Sequence, residues 1–100
     1  MSILIPSLIY AGDTLAFDVP AFKDSLGNSI DSGTYTLTWY ARTNTASEGV
    51  TVVGTAQGSG WRVTVPAATT TGFDAGLWTW QAIATYSTVQ HTAGRGQFTV

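Results

Sequence analysis

The chain contains no cysteine. A disulfide framework is thereby excluded, as is a zinc site built on thiolates. The absence fits folding in a reducing cytoplasm and leaves the place of work open. Charge is also scarce: 10% of residues are Asp, Glu, Lys or Arg, against about 25% in an average soluble domain. The four basic residues, Lys23, Arg42, Arg62 and Arg95, are scattered along a chain of net charge −2. Phosphate-backbone binding rests on clustered Lys and Arg that release counterions, so neither nucleic acid nor an anionic membrane surface is expected as a partner. No apolar run approaches the ~20 residues of a membrane-spanning helix. The N-terminal "MSILIPSLIYAGD" has no basic n-region and is interrupted by Pro6. It is expected to form a first strand with an edge-tolerated proline, not a signal peptide.

Helical periodicity is missing too, and what replaces it is strict alternation. In "TLAFDV", Leu15, Phe17 and Val19 share one face. In "TYTLTWYAR", Tyr35, Leu37, Trp39 and Ala41 point one way while Thr36, Thr38, Tyr40 and Arg42 point the other. "VTVVGTAQ" reads as a strand bending at Gly54, and in "WRVTV" Trp61, Val63 and Val65 oppose Arg62 and Thr64. "LWTWQAIATY" alternates from 77 to 86, and "HTAGRGQFTV" ends with Phe98 and Val100 on one face. Loops and turns fall at 23–33, 44–49, 58–60, 66–76 and 86–89, where Gly, Asp, Asn, Ser and Pro gather. Gly94 and Gly96 mark an expected bulge. Thr, the commonest polar residue at 17 of 100 positions, suits a pleated, half-buried surface. The length is that of one domain. These patterns predict an all-β antiparallel sandwich of about seven strands.

Two stretches carry a finer resemblance. "YTLTWYAR" sets a Trp inside an early alternating strand, and "FDAGLWTWQAIA" places Asp74, Gly76, Trp78 and Trp80 where an immunoglobulin-like domain carries its Asp-x-Gly-x-Tyr-x-Cys run. The chain resembles an immunoglobulin-like β-sandwich in which Trp stands for both the Tyr and the Cys. With Trp in both places, neither a corner made by a Tyr hydroxyl nor an inter-sheet disulfide is expected, and the two indoles are expected to fill that volume instead. The ordered series "IYAGDTLAFDVPAFKDSLGNSID", "YTLTWYAR", "GWRVTVPAATTTGFDAGLWTWQA" and "GRGQFTV" is similar to small immunoglobulin-like proteins of tailed-bacteriophage and prophage structural gene clusters. That resemblance implies a structural or assembly role in the head–tail or tail region of a virion. It further implies contacts with other virion proteins or with itself, and residence in the virion or in the host cytoplasm during assembly.

Chemistry is sparse. His91 is the single histidine, and no Ser sits in a nucleophile-elbow motif. The carboxylates Asp24 and Asp31, with Asn28, fall at turn positions and lack the spacing of a calcium loop. "AGRGQ" at 93–97 is neither a P-loop nor a dinucleotide fingerprint. It reads as a bulged strand or, on the alternative, as an edge that pairs with a partner strand. The expectation is a non-enzymatic protein with no catalytic residue, no cofactor and no metal. Expected core residues are Phe17, Leu37, Trp39, Trp61, Val63, Trp78, Trp80 and Phe98, with Trp78 and Trp80 facing Trp39 from the opposite sheet. The outward residues Tyr40, Leu77, Ile83 and Arg95 are the candidate partner-binding set. A carbohydrate- or cell-surface-binding module on the same fold is the alternative, and it requires at least two coplanar, exposed Trp or Tyr rings.

Overall fold

Alternating burial along each strand sets the architecture. In a computed structural model, which describes residues 8–43 and 49–100, the strands are β1 (Leu15–Val19), β2 (Phe22–Lys23), β3 (Ser29–Ile30), β4 (Thr36–Thr43) and β5 (Gly49–Val53), followed by β6 (Thr55–Gln57), β7 (Gly60–Val65), β8 (Leu77–Tyr86) and β9 (Val89–Thr99), with a single helical turn α1 (Ala67–Thr70) between β7 and β8. They form a three-stranded sheet β1-β7-β6, a four-stranded sheet β5-β4-β8-β9 and a small β2-β3 hairpin, with antiparallel ladders throughout. The expected all-β antiparallel organisation is present in one domain, and α1 is an addition inside the connection at 66–76. The expected N-terminal strand falls mostly outside the described residues. Of it, Leu8 makes a parallel bridge to Thr99.

The inner faces of the two sheets meet in one core. All eight expected core residues are buried, joined by Leu15, Val19, Ile30, Val65, Phe73 and others. Phe17 on β1 meets Trp39 on β4 edge-on, with ring centroids 5.6 Å apart. The expected opposition of Trp39 to Trp78 and Trp80 is corrected. Trp39 pairs with Ala82 and Ala41 with Trp80, so all three indoles lie on the inner face of the same sheet. The cause is the direct pairing of β4 with β8. The partner across the core is Phe17, and small Ala82 and Ala84 make room beside the large rings. Each such buried aromatic contributes on the order of a few kcal/mol.

Turn chemistry fixes the register. Gly58 has φ +60° and opens the two-residue β6–β7 turn, the position where a primed hairpin turn takes glycine. Gly60 serves a different need: a Cβ there would lie 2.3 Å from the Val19 carbonyl oxygen, so only glycine lets β7 pass the end of β1. The bend expected at Gly54 is the place where the chain leaves the four-stranded sheet as β5 and enters the three-stranded sheet as β6. The register of β8 with β9 shifts between Ala82 and Ile83, leaving Ala93 as the extra residue beside Gly94. Gly96 lies under the Trp80 indole, which occupies the space a Cβ would need at 3.0 Å. The bulge is therefore at 93–94, and Gly96 is a packing glycine.

Hydrogen bonds tie the ends of the core. The Trp78 indole N–H donates to the Asp74 carbonyl at 2.9 Å, and the Trp61 indole N–H donates to the Tyr35 carbonyl at 3.1 Å. The buried Thr70 hydroxyl accepts from the Gly12 N–H at 3.1 Å and donates to the Asp13 carbonyl at 2.7 Å. That joins α1 to the approach of β1. Trp39 differs from its neighbours: its indole nitrogen is buried and makes no hydrogen bond among the described residues.

Candidate functional site

The same alternation that buries Trp39, Trp78 and Trp80 turns a second row of residues outward from the four-stranded sheet. The ladder pairs Tyr40 with Thr51 on one side and with Gln81 on the other, and Gln81 with Arg95. Thr51, Tyr40, Gln81 and Arg95 thus run across the sheet in one line. The adjacent line holds Gly49, Arg42, Thr79 and Gln97. The line on the other side holds Val53, Thr38, Ile83 and Thr92.

All four candidate residues occupy this face. Tyr40 and Arg95 share a line, with Cα atoms about 10 Å apart across two strand spacings. Tyr40 is 40% exposed and Leu77, at the start of β8, 42%. Ile83 is half-buried beside Thr38. Leu77 lies four positions from Gln81 along β8, about 13 Å away, at the edge of the face. The structure therefore brings Tyr40, Ile83 and Arg95 close and leaves Leu77 peripheral.

A depression of about 540 Å³ sits at the centre, lined by Tyr40, Arg42, Thr51, Thr79, Gln81 and Arg95 among others. Arg42 was legible as a neighbour of Tyr40 by period-two alternation. Its convergence with Arg95 depends on two interstrand registers that no single strand encodes. Chemically, the face offers two guanidiniums, a phenol ring, an amide and hydroxyls. Guanidinium forks recognise carboxylate or phosphate oxygens in pairs, and an exposed ring gives rigid contact area at low entropy cost. Each of these functions in recognition.

A second cavity, of about 520 Å³, opens beside the β2–β3 hairpin and includes Phe22, Lys23, Asp24, Leu26, His91 and Thr92. Asp24 accepts hydrogen bonds from the N–H groups of Asn28 and Leu26, each 2.9 Å, and from the Asn28 side-chain amide at 3.2 Å. The Asn28 N–H above all, followed by the Asn28 side chain, the Leu26 N–H and nearby His91, holds its carboxyl below the usual Asp range. The role is that of an Asx turn closing the hairpin. His91 is half-buried on β9, its ring edge-on to Tyr35 at 5.8 Å. Asp31 accepts from the Gly33 N–H at 3.1 Å, again a turn. Arg62 pairs with Asp18 at 3.5 Å on the outer side of the three-stranded sheet, an exposed pair worth at most about 1 kcal/mol. Among the described residues, no three His, Cys, Asp or Glu side chains gather as a metal site would require. No protein-family model matches the chain, and no curated protein matches it either.

Proposed function

We propose that this chain is an immunoglobulin-like structural or assembly protein of a tailed phage or prophage virion, acting without catalysis through the outer face of its four-stranded sheet. The observation that carries the protein-contact reading is that face. Registers across β5, β4, β8 and β9 gather Tyr40, Arg42 and Arg95 around one depression, with Ile83 on the neighbouring line. Tyr and Arg are the residue types enriched at interface centres, where Lys, Asp and Glu are depleted.

Three features support the immunoglobulin-like form. The strand sets β1-β7-β6 and β5-β4-β8-β9 correspond to the B-E-D and C′-C-F-G sheets of that fold. Leu8 bridges the last strand in parallel. The Trp78 indole bonds to the backbone four residues upstream, at the place a tyrosine corner occupies. An indole N–H does there what a phenol O–H does elsewhere. The virion assignment is supported by the ordered sequence resemblance along nearly the whole chain. The carbohydrate-binding alternative has less behind it, because all four indoles are buried and Tyr40 stands as a single ring on the face.

Mass spectrometry of purified particles induced from the source strain tests the assignment. Recovery of the protein in stoichiometric amount with particle proteins is the expected result. Its consistent absence from particles and from assembly intermediates would refute it.

A further inference from the structure

The distribution of charge specifies what kind of partner the face accepts. Among the described residues, the outward positions of β4, β5, β8 and β9 carry no carboxylate, and their charged groups are Arg42 and Arg95. Neither arginine makes an ion pair among the described residues; Arg62, on the other sheet, does. In a chain of net charge −2, the described residues of this face thus carry a formal charge of +2, from Arg42 and Arg95. The two arginines lie on adjacent lines and two strands apart, so their Cα atoms are about 12 Å apart, with Tyr40 beside them.

We propose that this face docks an extended, acidic segment of a partner protein, whose carboxylates pair with Arg42 and Arg95 while its backbone lies over Tyr40 and the depression. The proposal rests on the reading of the chain as a protein that works through protein contacts, and it names the partner's chemistry. Spacing favours an extended segment. Side chains two residues apart on one face of a strand are about 6.7 Å apart and those four apart about 13 Å, close to the arginine separation. Two cations among the described residues of the face are too few to track a phosphate backbone. Tyr40, Ile83 and Val53 add apolar contact that a protein segment can cover.

The probe is a short capped peptide of alternating Glu and Thr, titrated into the ¹⁵N-labelled full chain, with alternating Lys and Thr as the control. The Glu peptide is expected to shift the amides of residues 40–42, 79–81 and 95–97, and the Lys peptide to leave them in place. Affinity should fall with added salt. Arg42→Glu with Arg95→Glu should weaken binding roughly tenfold or more, with the Trp78 indole resonance unmoved as the sign of an intact fold. Arg62→Gln should leave binding unchanged. Equal shifts with both peptides, shifts confined to other surfaces, or indifference to the double substitution would overturn the proposal. So would tighter binding of polygalacturonate or of oligo-dT than of the Glu peptide. Self-association of the free chain that the double substitution abolishes would also overturn it, by assigning the face to a second copy. Particle mass spectrometry is independent of these results, so failure of the virion assignment and failure of the acidic-partner proposal are separable.

Discussion

Replacing Trp78 with Phe and Trp39 with Phe removes the same atoms from two buried indoles that differ in hydrogen bonding. Trp78 donates to the Asp74 carbonyl at 2.9 Å and stacks on Phe73 at 4.5 Å and on Phe98 at 5.8 Å. Trp39 stacks on Phe98 at 6.2 Å, is fully buried and has an indole N–H without a partner among the described residues. In each case the lost ring area and the space left behind cost about 1–2 kcal/mol. For Trp78→Phe the lost hydrogen bond adds about 1 kcal/mol, giving about 2–3 in total. For Trp39→Phe the substitution removes a buried unsatisfied donor, which returns about 1–3 kcal/mol and leaves a net change between about 1 kcal/mol destabilising and about 2 kcal/mol stabilising. The ring-loss cost cancels between them, so the two variants should differ by at least about 2 kcal/mol, or roughly 10 °C or more in melting temperature for a domain of this size. Urea unfolding followed by far-ultraviolet circular dichroism reads the difference without relying on the altered fluorescence. The reasoning is refuted if Trp39→Phe is as destabilising as Trp78→Phe, because that would mean the Trp39 donor is satisfied in solution or the corner bond contributes nothing.

Three further perturbations probe separate parts of the account. Gly60→Ala should cost about 3 kcal/mol, because its Cβ meets the Val19 carbonyl oxygen at 2.3 Å and backbone must move, and thermal melts check it. Thr70→Val keeps the shape but deletes both bonds to the 12–13 segment, so a loss of about 1–3 kcal/mol is expected, with faster hydrogen exchange at the Gly12 amide. Asp24 is held below its usual range by the Asn28 N–H first, so its contribution to the hairpin is present above the unfolded-state pKa and is lost as pH falls through the lower folded value. The Asn28 amide shift, followed by NMR through acid pH, should titrate with a midpoint below that of an unstructured Asp peptide, and a midpoint at or above it would contradict the Asx-turn role.

Period-two alternation made the interior of each strand legible. Phe17, Leu37, Trp39, Trp61, Val63, Trp78, Trp80 and Phe98 are all core for that reason. The hairpin turn at 86–89 and the bend at Gly54 were legible from turn chemistry and an isolated glycine. Pairing between strands was not. Nothing within "LWTWQAIATY" says that it lies beside "TLTWYAR" and not opposite it, so the mutual placement of the tryptophans required the sheet order. The single turn α1 is too short to leave a periodic signature. The Thr70 tie spans more than fifty positions and has no local signal. The same limit applies to the site. Tyr40 and Arg95 were identifiable as outward residues, whereas their meeting with Arg42 over one depression follows only from three strands in register.

The most direct test of the central claim, that the outer face of the four-stranded sheet is the contact surface, is hydroxyl-radical footprinting of the protein free and in purified particles. Tyr40 should lose reactivity in particles while Tyr86, exposed at the far hairpin turn, keeps more of its own. Unchanged reactivity of Tyr40 on incorporation, or protection confined to the surface of the three-stranded sheet, would contradict the account.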